Sequence, residues 1–243
     1  MADDDDEATT VVLSFDVGIR NLAFARLSLR RPTGADASLR IYEDVSTEAR
    51  VLSLGSIDTT EYMDECVDTR NANKIPPLAI ARGVIRALDA HLGEMMSGGD
   101  SDRPPDHVII ENQPCLKNPR MKSTQMMIFA YFVRRFIDSE PPVDIRMFQP
   151  RDKLAVYTGD PVECALKSKY ARRKRLSVVY TSRLLVSEDD SIREVFDASK
   201  KKDDLADAYL QALTFLRREY GAPPRPARSR RRGRKKTGAS VTS

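Results

Sequence analysis

The stretch Val11-Val12-Leu13-Ser14-Phe15-Asp16-Val17-Gly18-Ile19-Arg20-Asn21 decides how this chain is read. Residues 11–15 are a short apolar, β-branched run without polar alternation, the pattern of a buried strand. The run ends on an acid, Asp16, and Gly18 and Asn21 follow in an Asp-x-Gly-x-x-Asn turn. Residues 21–29 continue apolar as the second arm of a hairpin. An ionised carboxylate at the end of a buried strand is costly unless something positive compensates it.

Working outward, residues 41–53 read as a third strand. Pro76-Pro77 opens a helix to about residue 96, with apolar positions at helical spacing. Residues 97–105, rich in Gly, Ser and Asp, form a loop. Residues 107–111 are a fourth strand that again ends on an acid, Glu111. A helix over about 123–138 and a strand over 143–148 follow. Residues 149–176 read as irregular and basic, then helical to about 186. The last helix spans 203–220 and stops at Gly221 before Pro223-Pro224. Three strands, then alternating helix and strand, then a closing helix make an α/β chain with an RNase H-like fold, a mixed five-stranded sheet flanked by helices.

The 243 residues, 41% hydrophobic, suffice for one such domain over residues 11–221. The net charge of +4 is unevenly laid out: residues 3–7 are all acidic, and residues 225–236 hold eight Arg or Lys and no acid. Residues 1–10 and 222–243 are therefore expected to be disordered acidic and basic tails. The basic tail suits nuclear import, nucleic-acid binding or solubility. Cys66, Cys115 and Cys164 form neither a zinc pattern nor a disulfide framework, which points to a reducing, intracellular setting. No apolar stretch reaches the ~18–20 residues of a membrane span, and the acidic start is unlike a signal peptide, so no membrane is expected as a partner.

The chemistry follows from the acids. Asp204 and Asp207 lie three residues apart in Lys201-Lys202-Asp203-Asp204-Leu205-Ala206-Asp207, at the flank of an apolar stripe formed by Leu205, Tyr209, Ala212, Leu213 and Leu216. With Asp16 and Glu111 they make an all-oxygen set that suits two Mg²⁺ ions, with Mn²⁺ able to substitute, for phosphodiester hydrolysis by water. Plainer readings stand beside this one. A strand-terminal Asp before Gly serves as a turn residue, and acids in a first helical turn complement the helix dipole. Asp203, farther from the stripe, reads as a cap. Gly18 reads as room for a close approach by the scissile strand.

The segments Ser14-Phe15-Asp16-Val17-Gly18-Ile19-Arg20-Asn21, Val108-Ile109-Ile110-Glu111-Asn112-Gln113 and Lys201 to Ala208 resemble the poxvirus-type Holliday junction resolvases. These belong to the RuvC and mitochondrial cruciform-cutting resolvase group, whose relatives occur in large DNA viruses. Asp152-Lys153-Leu154-Ala155-Val156-Tyr157 and Tyr170 to Arg175 resemble that family's stretch before the closing helix. The similarity spans roughly residues 11–218. It implies an RNase H-like nuclease with Asp16, Glu111, Asp204 and Asp207 as metal-binding catalytic acids. It also implies a homodimer that cuts opposed strands of a four-way or branched DNA junction, in a host nucleus or a cytoplasmic viral replication site.

Candidate DNA contacts are Arg20, Asn21, Lys117, Arg120, Lys122, Arg172, Arg173 and Lys174, with Lys167, Lys169 and Arg175 in the same basic run. Each, taken alone, also fits a solvated surface charge. Lys201 and Lys202, next to the acids, are candidates to stabilise transition-state charge. Phe129, Tyr131, Phe132 and Phe136 suit a core or a dimer seam, as do Met121, Met126 and Met127. An RNase H-like nuclease for another substrate would share every acid, and a non-catalytic junction-binding module would be expected to have lost one. Sugar-kinase and actin-like ATPases need a second glycine-rich loop, for which Ser97-Gly98-Gly99-Asp100 is misplaced.

Overall fold

A computed structural model describes residues 9–31, 44–98, 103–116, 118–149 and 152–221. β1 (Thr9–Asp16) turns back into β2 (Asn21–Arg30), and β3 (Ala49–Asp58), entered through the single turn α1 (Val45–Glu48), pairs antiparallel with β2. α2 (Pro77–Met96) leads to β4 (His107–Glu111), parallel to β1, and α3 (Pro119–Arg135) leads to β5 (Asp144–Phe148), parallel to β4. The chain closes with α4 (Lys169–Leu184), α5 (Asp190–Ala198) and α6 (Lys202–Tyr220). The strand order β3-β2-β1-β4-β5, with β1 central and helices on both faces, is the mixed sheet of an RNase H-like fold.

Side chains alternate across a strand, so β1 and β4 each serve two cores. Leu13, Phe15, Val108 and Ile110 pack on one face with Val84 and Leu88 of α2 and Ile128 and Phe132 of α3. Val12 and Ile109 pack on the other with Leu205, Tyr209, Leu213 and Leu216 of α6. Asp16 shares the parity of Val12, and Glu111 that of Ile109. The parallel register sets Phe15 opposite Ile110, so the two acids close neighbouring strands on the α6 face.

From Leu205 to Leu216 every residue of α6 is buried except Asp207. The single apolar stripe is thus only part of its burial, because Val178 of α4 and Phe196 and Ile192 of α5 join the same core. Two buried polar side chains fix its height on the sheet. Ser14 Oγ donates to the Ala208 carbonyl at 2.9 Å, and Gln211 Nε2 donates to Ser14 Oγ and to the Phe15 carbonyl, both at 3.1 Å.

Several boundaries differ from the sequence reading. The third strand lies at Ala49–Asp58 rather than 41–53: Asp44 caps α1 by accepting from the Ser46 amide, which delays the strand. Residues 41–43 lie outside the described residues. α3 starts at Pro119 behind the Asn118 cap, four residues earlier than expected. Residues 149–176 contain a 3₁₀ turn, Lys153–Val156, and the start of α4, and α5 was not anticipated. β1 begins at Thr9, inside the expected acidic tail, whereas residues 1–8 and the whole basic tail lie outside the described residues. Gly18 has a local reason: a Cβ there would stand 2.0 Å from the Asn21 carbonyl oxygen, so the hairpin itself requires glycine. No helix among the described residues is long and apolar enough to cross a membrane.

Gln211→Leu keeps the volume but strips two buried acceptors of a donor. Urea unfolding should show a loss of about 1–3 kcal/mol, and an unchanged midpoint would mean that the amide does not anchor α6.

Candidate active site

An open cleft of about 530 Å³ lies at the carboxyl ends of β1 and β4, lined by Asp16, Glu111, Asp204 and Asp207. The structure thus brings together all four acids singled out from the sequence. Lys153, Lys169, Tyr170, Arg173 and Lys174 line the same cleft. Two strand ends deliver Asp16 and Glu111, and the first turns of α6 deliver Asp204 and Asp207.

The segment after β4 is braced. Gln113 Nε2 donates to Glu111 Oε2 at 2.6 Å, and the Gln113 amide donates to Gln125 Oε1 at 2.9 Å. Lys122 Nζ donates to Asn112 Oδ1 at 3.0 Å and to Gln125 Oε1 at 3.1 Å. Lys122 therefore braces this segment in addition to the phosphate role expected of it.

Burial pushes the Asp16 carboxyl well above the ordinary carboxylate range, and the charge of Glu111, a hydrogen bond to it and the charge of Asp207 add to the rise. Asp204 is raised by burial and then by Asp203. Burial also opposes ionisation of Asp203, but its bond and charge interaction with Lys174 outweigh that and hold it low. Asp207 is held by Lys153, whose Nζ lies 2.5 Å from Asp207 Oδ2 with the lysine side chain only 12% exposed.

Among the described residues no three His, Cys, Asp or Glu side chains converge into a preassembled metal shell. The donor set nevertheless fits a hard divalent cation. It is all carboxylate oxygen, and Asp16 sits in a buried, like-charged environment that added positive charge would relieve.

The other candidates divide between the cleft and the rest of the molecule. Lys202 is engaged by Asp197 at 2.9 Å over the Phe196 ring, and Lys201, the N-cap residue of α6, lies outside the cleft lining although its charge favours ionised Asp203 and Asp204. The lysine ion-paired with one of the four acids is Lys153, to which the sequence reading gave no role. It could have been found: β5 ends beside Glu111, so residues just past Phe148 return to the same sheet end. Asp203 pairs with Lys174 instead of capping α6 by its side chain. Arg20 Nη2 donates to the Thr69 carbonyl at 2.5 Å, Arg120 donates to the Ile75 carbonyl, and Asn21 pairs with Asp58 in the sheet. Arg172 is exposed on α4 and Arg173 and Lys174 face the cleft, whereas Lys117 lies outside the described residues. Phe132 is core, its ring 5.0 Å from that of Phe15, and cannot form a dimer seam.

Comparison with solved structures finds Holliday junction resolvases. The yeast mitochondrial Holliday junction resolvase Ydc2 matches with a TM-score of 0.51 at 16% identity, over 85% of this chain and 78% of that one, and the two share a fold. The Fowlpox virus resolvase, solved with substrate Holliday junction DNA, gives 0.47 at 18% identity over 86% and 99%, and Thermus thermophilus RuvC gives 0.46 at 15% over 86% and 96%. In sequence, an uncharacterized protein of Acanthamoeba polyphaga mimivirus is 32% identical over 167 residues, 65% of this chain and 39% of that protein, so the chain spans about two fifths of that relative's length. No family model matches the chain.

Because the Asp16 carboxyl is raised in the fold, the folded chain takes up a proton above the ordinary carboxylate range. Stability is therefore lost as pH climbs from that range through the raised value. Asp16→Asn, neutral at every pH, should raise the Tm of the metal-free protein at neutral pH, by about 2–4 °C for each kcal/mol regained, and flatten its pH dependence. Mg²⁺ should raise the Tm of the wild type more than that of the variant in differential scanning calorimetry.

Proposed function

We propose that this chain is a metal-dependent, structure-selective endonuclease, a Holliday junction resolvase that hydrolyses phosphodiester bonds in four-way or branched DNA. Its setting would be recombination, repair and the resolution of replication intermediates in a large DNA virus, in keeping with the mimivirus relative. The observation that carries the reading is the meeting of Asp16, Glu111, Asp204 and Asp207 in one cleft, at the strand ends of a fold shared with a junction resolvase.

Those four carboxylates would hold two Mg²⁺ ions, with Mn²⁺ able to substitute. Bound there, the ions would supply Lewis-acid charge and lower the pKa of a water for attack on phosphorus. The chain's own residues do the rest. Lys169, Arg173 and Lys174 at the cleft and Arg172 beside it offer cationic contacts to phosphates. Lys153 puts an ammonium among the acids, where it can stabilise developing negative charge. Gln113 orients Glu111, and the Ser14–Gln211 contact sets the distance from α6 to β1.

A four-way junction presents two opposed strands to be cut, and the described residues of each chain form one cleft in which Asp16, Glu111, Asp204 and Asp207 meet. Paired cutting therefore calls for two copies. Met126 and Val133 on the outer face of α3, with Ile137 just beyond it, leave an exposed apolar stripe at 44%, 37% and 64% exposure. That stripe is our candidate contact with a second copy.

The deciding assay is cleavage of an immobile four-way junction beside linear duplex and RNA–DNA hybrid, in Mg²⁺ and in EDTA. Symmetric nicks near the branch are expected, absent in EDTA and reduced in Asp207→Asn by more than the ~10–100-fold that loss of an outer metal partner costs. Cutting of the hybrid alone would move the chain to another nuclease class, and junction binding without cleavage would leave an architectural role. Val133→Glu should convert dimers to monomers in light scattering and uncouple the paired nicks; a dimer that persists would exclude this face.

A further inference from the structure

The cleft carries its own counter-ion. We infer that Lys153 is an internal cation that occupies Asp207 in the metal-free protein and that an incoming divalent ion must displace it. Metal loading would then turn a nearly neutral cleft into a phosphate-binding one. This role presupposes the carboxylate metal centre proposed above.

Lys153 is placed for this by its backbone. It opens the 3₁₀ turn Lys153–Val156, in which Val156 is buried and Leu154 packs against the α6-side core. The Ala155 amide donates to the Asp152 carbonyl at 2.8 Å, and Arg217 of α6 donates to the Ala155 carbonyl. The turn is thus pinned to the helix that carries Asp207. The ammonium and carboxylate meet at 2.5 Å, at 12% and 24% exposure, so water screens this pair less than an exposed one.

Charge accounts for the consequence. The four cleft acids face Lys153, Lys169 and Arg173, while Lys174 is paired with Asp203 at the rim, so the metal-free cleft has no net positive field to attract a polyanion. Of the four acids, Asp207 is the one ion-paired with a cation, Lys153, while Lys174 holds the neighbouring Asp203. A divalent ion that takes Asp207 adds positive charge and frees an ammonium for phosphate. Metal and nucleic acid should consequently favour each other's binding, and by linkage the effect is reciprocal.

The test needs no cleavage. Mn²⁺ binding is followed by electron paramagnetic resonance in wild type, Lys153→Met and Lys153→Arg, without DNA. Acylation of Lys153 in the wild type is followed by mass spectrometry with and without Mg²⁺. Removing the competing cation should tighten Mn²⁺ binding roughly fivefold or more, the low end of ordinary coupling between sites. Lys153→Arg should stay near wild type, and Mg²⁺ should speed acylation of Lys153 several-fold. If the wild type binds Mn²⁺ but Lys153→Met binds it no tighter, or acylation ignores Mg²⁺, the counter-ion role is overturned and the metal centre stands. A wild type with no saturable Mn²⁺ binding would overturn the centre and this role together.

Discussion

The site depends on one polar contact inside an apolar interface. Ser14 interrupts the apolar run of Val11 to Phe15 in β1 and sits fully buried beneath α6. Its bond to the Ala208 carbonyl and the reach of Gln211 to Ser14 and Phe15 define where along β1 the helix rests. Apolar packing alone tolerates sliding, because one aliphatic surface resembles the next, whereas a buried donor without its acceptor costs far more than the bond contributes. The acids stand two residues beyond Ser14 on the strand and one and four residues before Ala208 on the helix. A contact that fixes the interface therefore fixes them.

That arrangement holds like charges together against their own repulsion. Asp16 and Asp204 carry raised carboxyls because hydrophobic burial around them is strong enough to enforce the neighbourhood. The lysines share the opposing work unequally. Lys174 neutralises Asp203 at the half-exposed rim, while Lys153 reaches Asp207 in the less exposed part of the cleft. Much of the charge on Asp16 remains to be answered by something the polypeptide does not supply.

Legibility in the sequence followed the strength of local constraint. β1 and β4 were readable because each carries a short apolar run, Val11 to Phe15 broken only by Ser14 and Val108 to Ile110, that ends abruptly on an acid, and α6 because Gly221 and Pro223 stop it. The start of β3 was obscured by Asp44, whose capping preference speaks for a turn inside a stretch that otherwise looks extended. α5 escaped because nine mixed residues present a helical period too briefly, although its buried Phe196 packs firmly. The placement of Phe132 inward could not be told from Phe129 or Phe136, since only the packing of α3 on Phe15 separates them. Lys153 was hidden for a different reason. Its position follows from the pairing of β4 with β5, which returns the chain past Phe148 to the sheet end of the acids, a signal of topology and not of any local pattern.

The alternation that puts Asp16 and Glu111 on the α6 face works like a reading frame. One residue gained or lost within residues 11–16 or 107–111, before the acid, would turn that acid toward the opposite core unless a β-bulge, such as the irregularity already present at Arg26 and Leu27, took it up. The chain leaves the sheet after Arg30, re-enters it at Ala49 and comes back from α2 to His107, all at the end away from the acids. Length can be added or removed there without disturbing the frame. Descendants of this chain should therefore differ by insertions at that far end, while the strands that carry the acids change only by substitution.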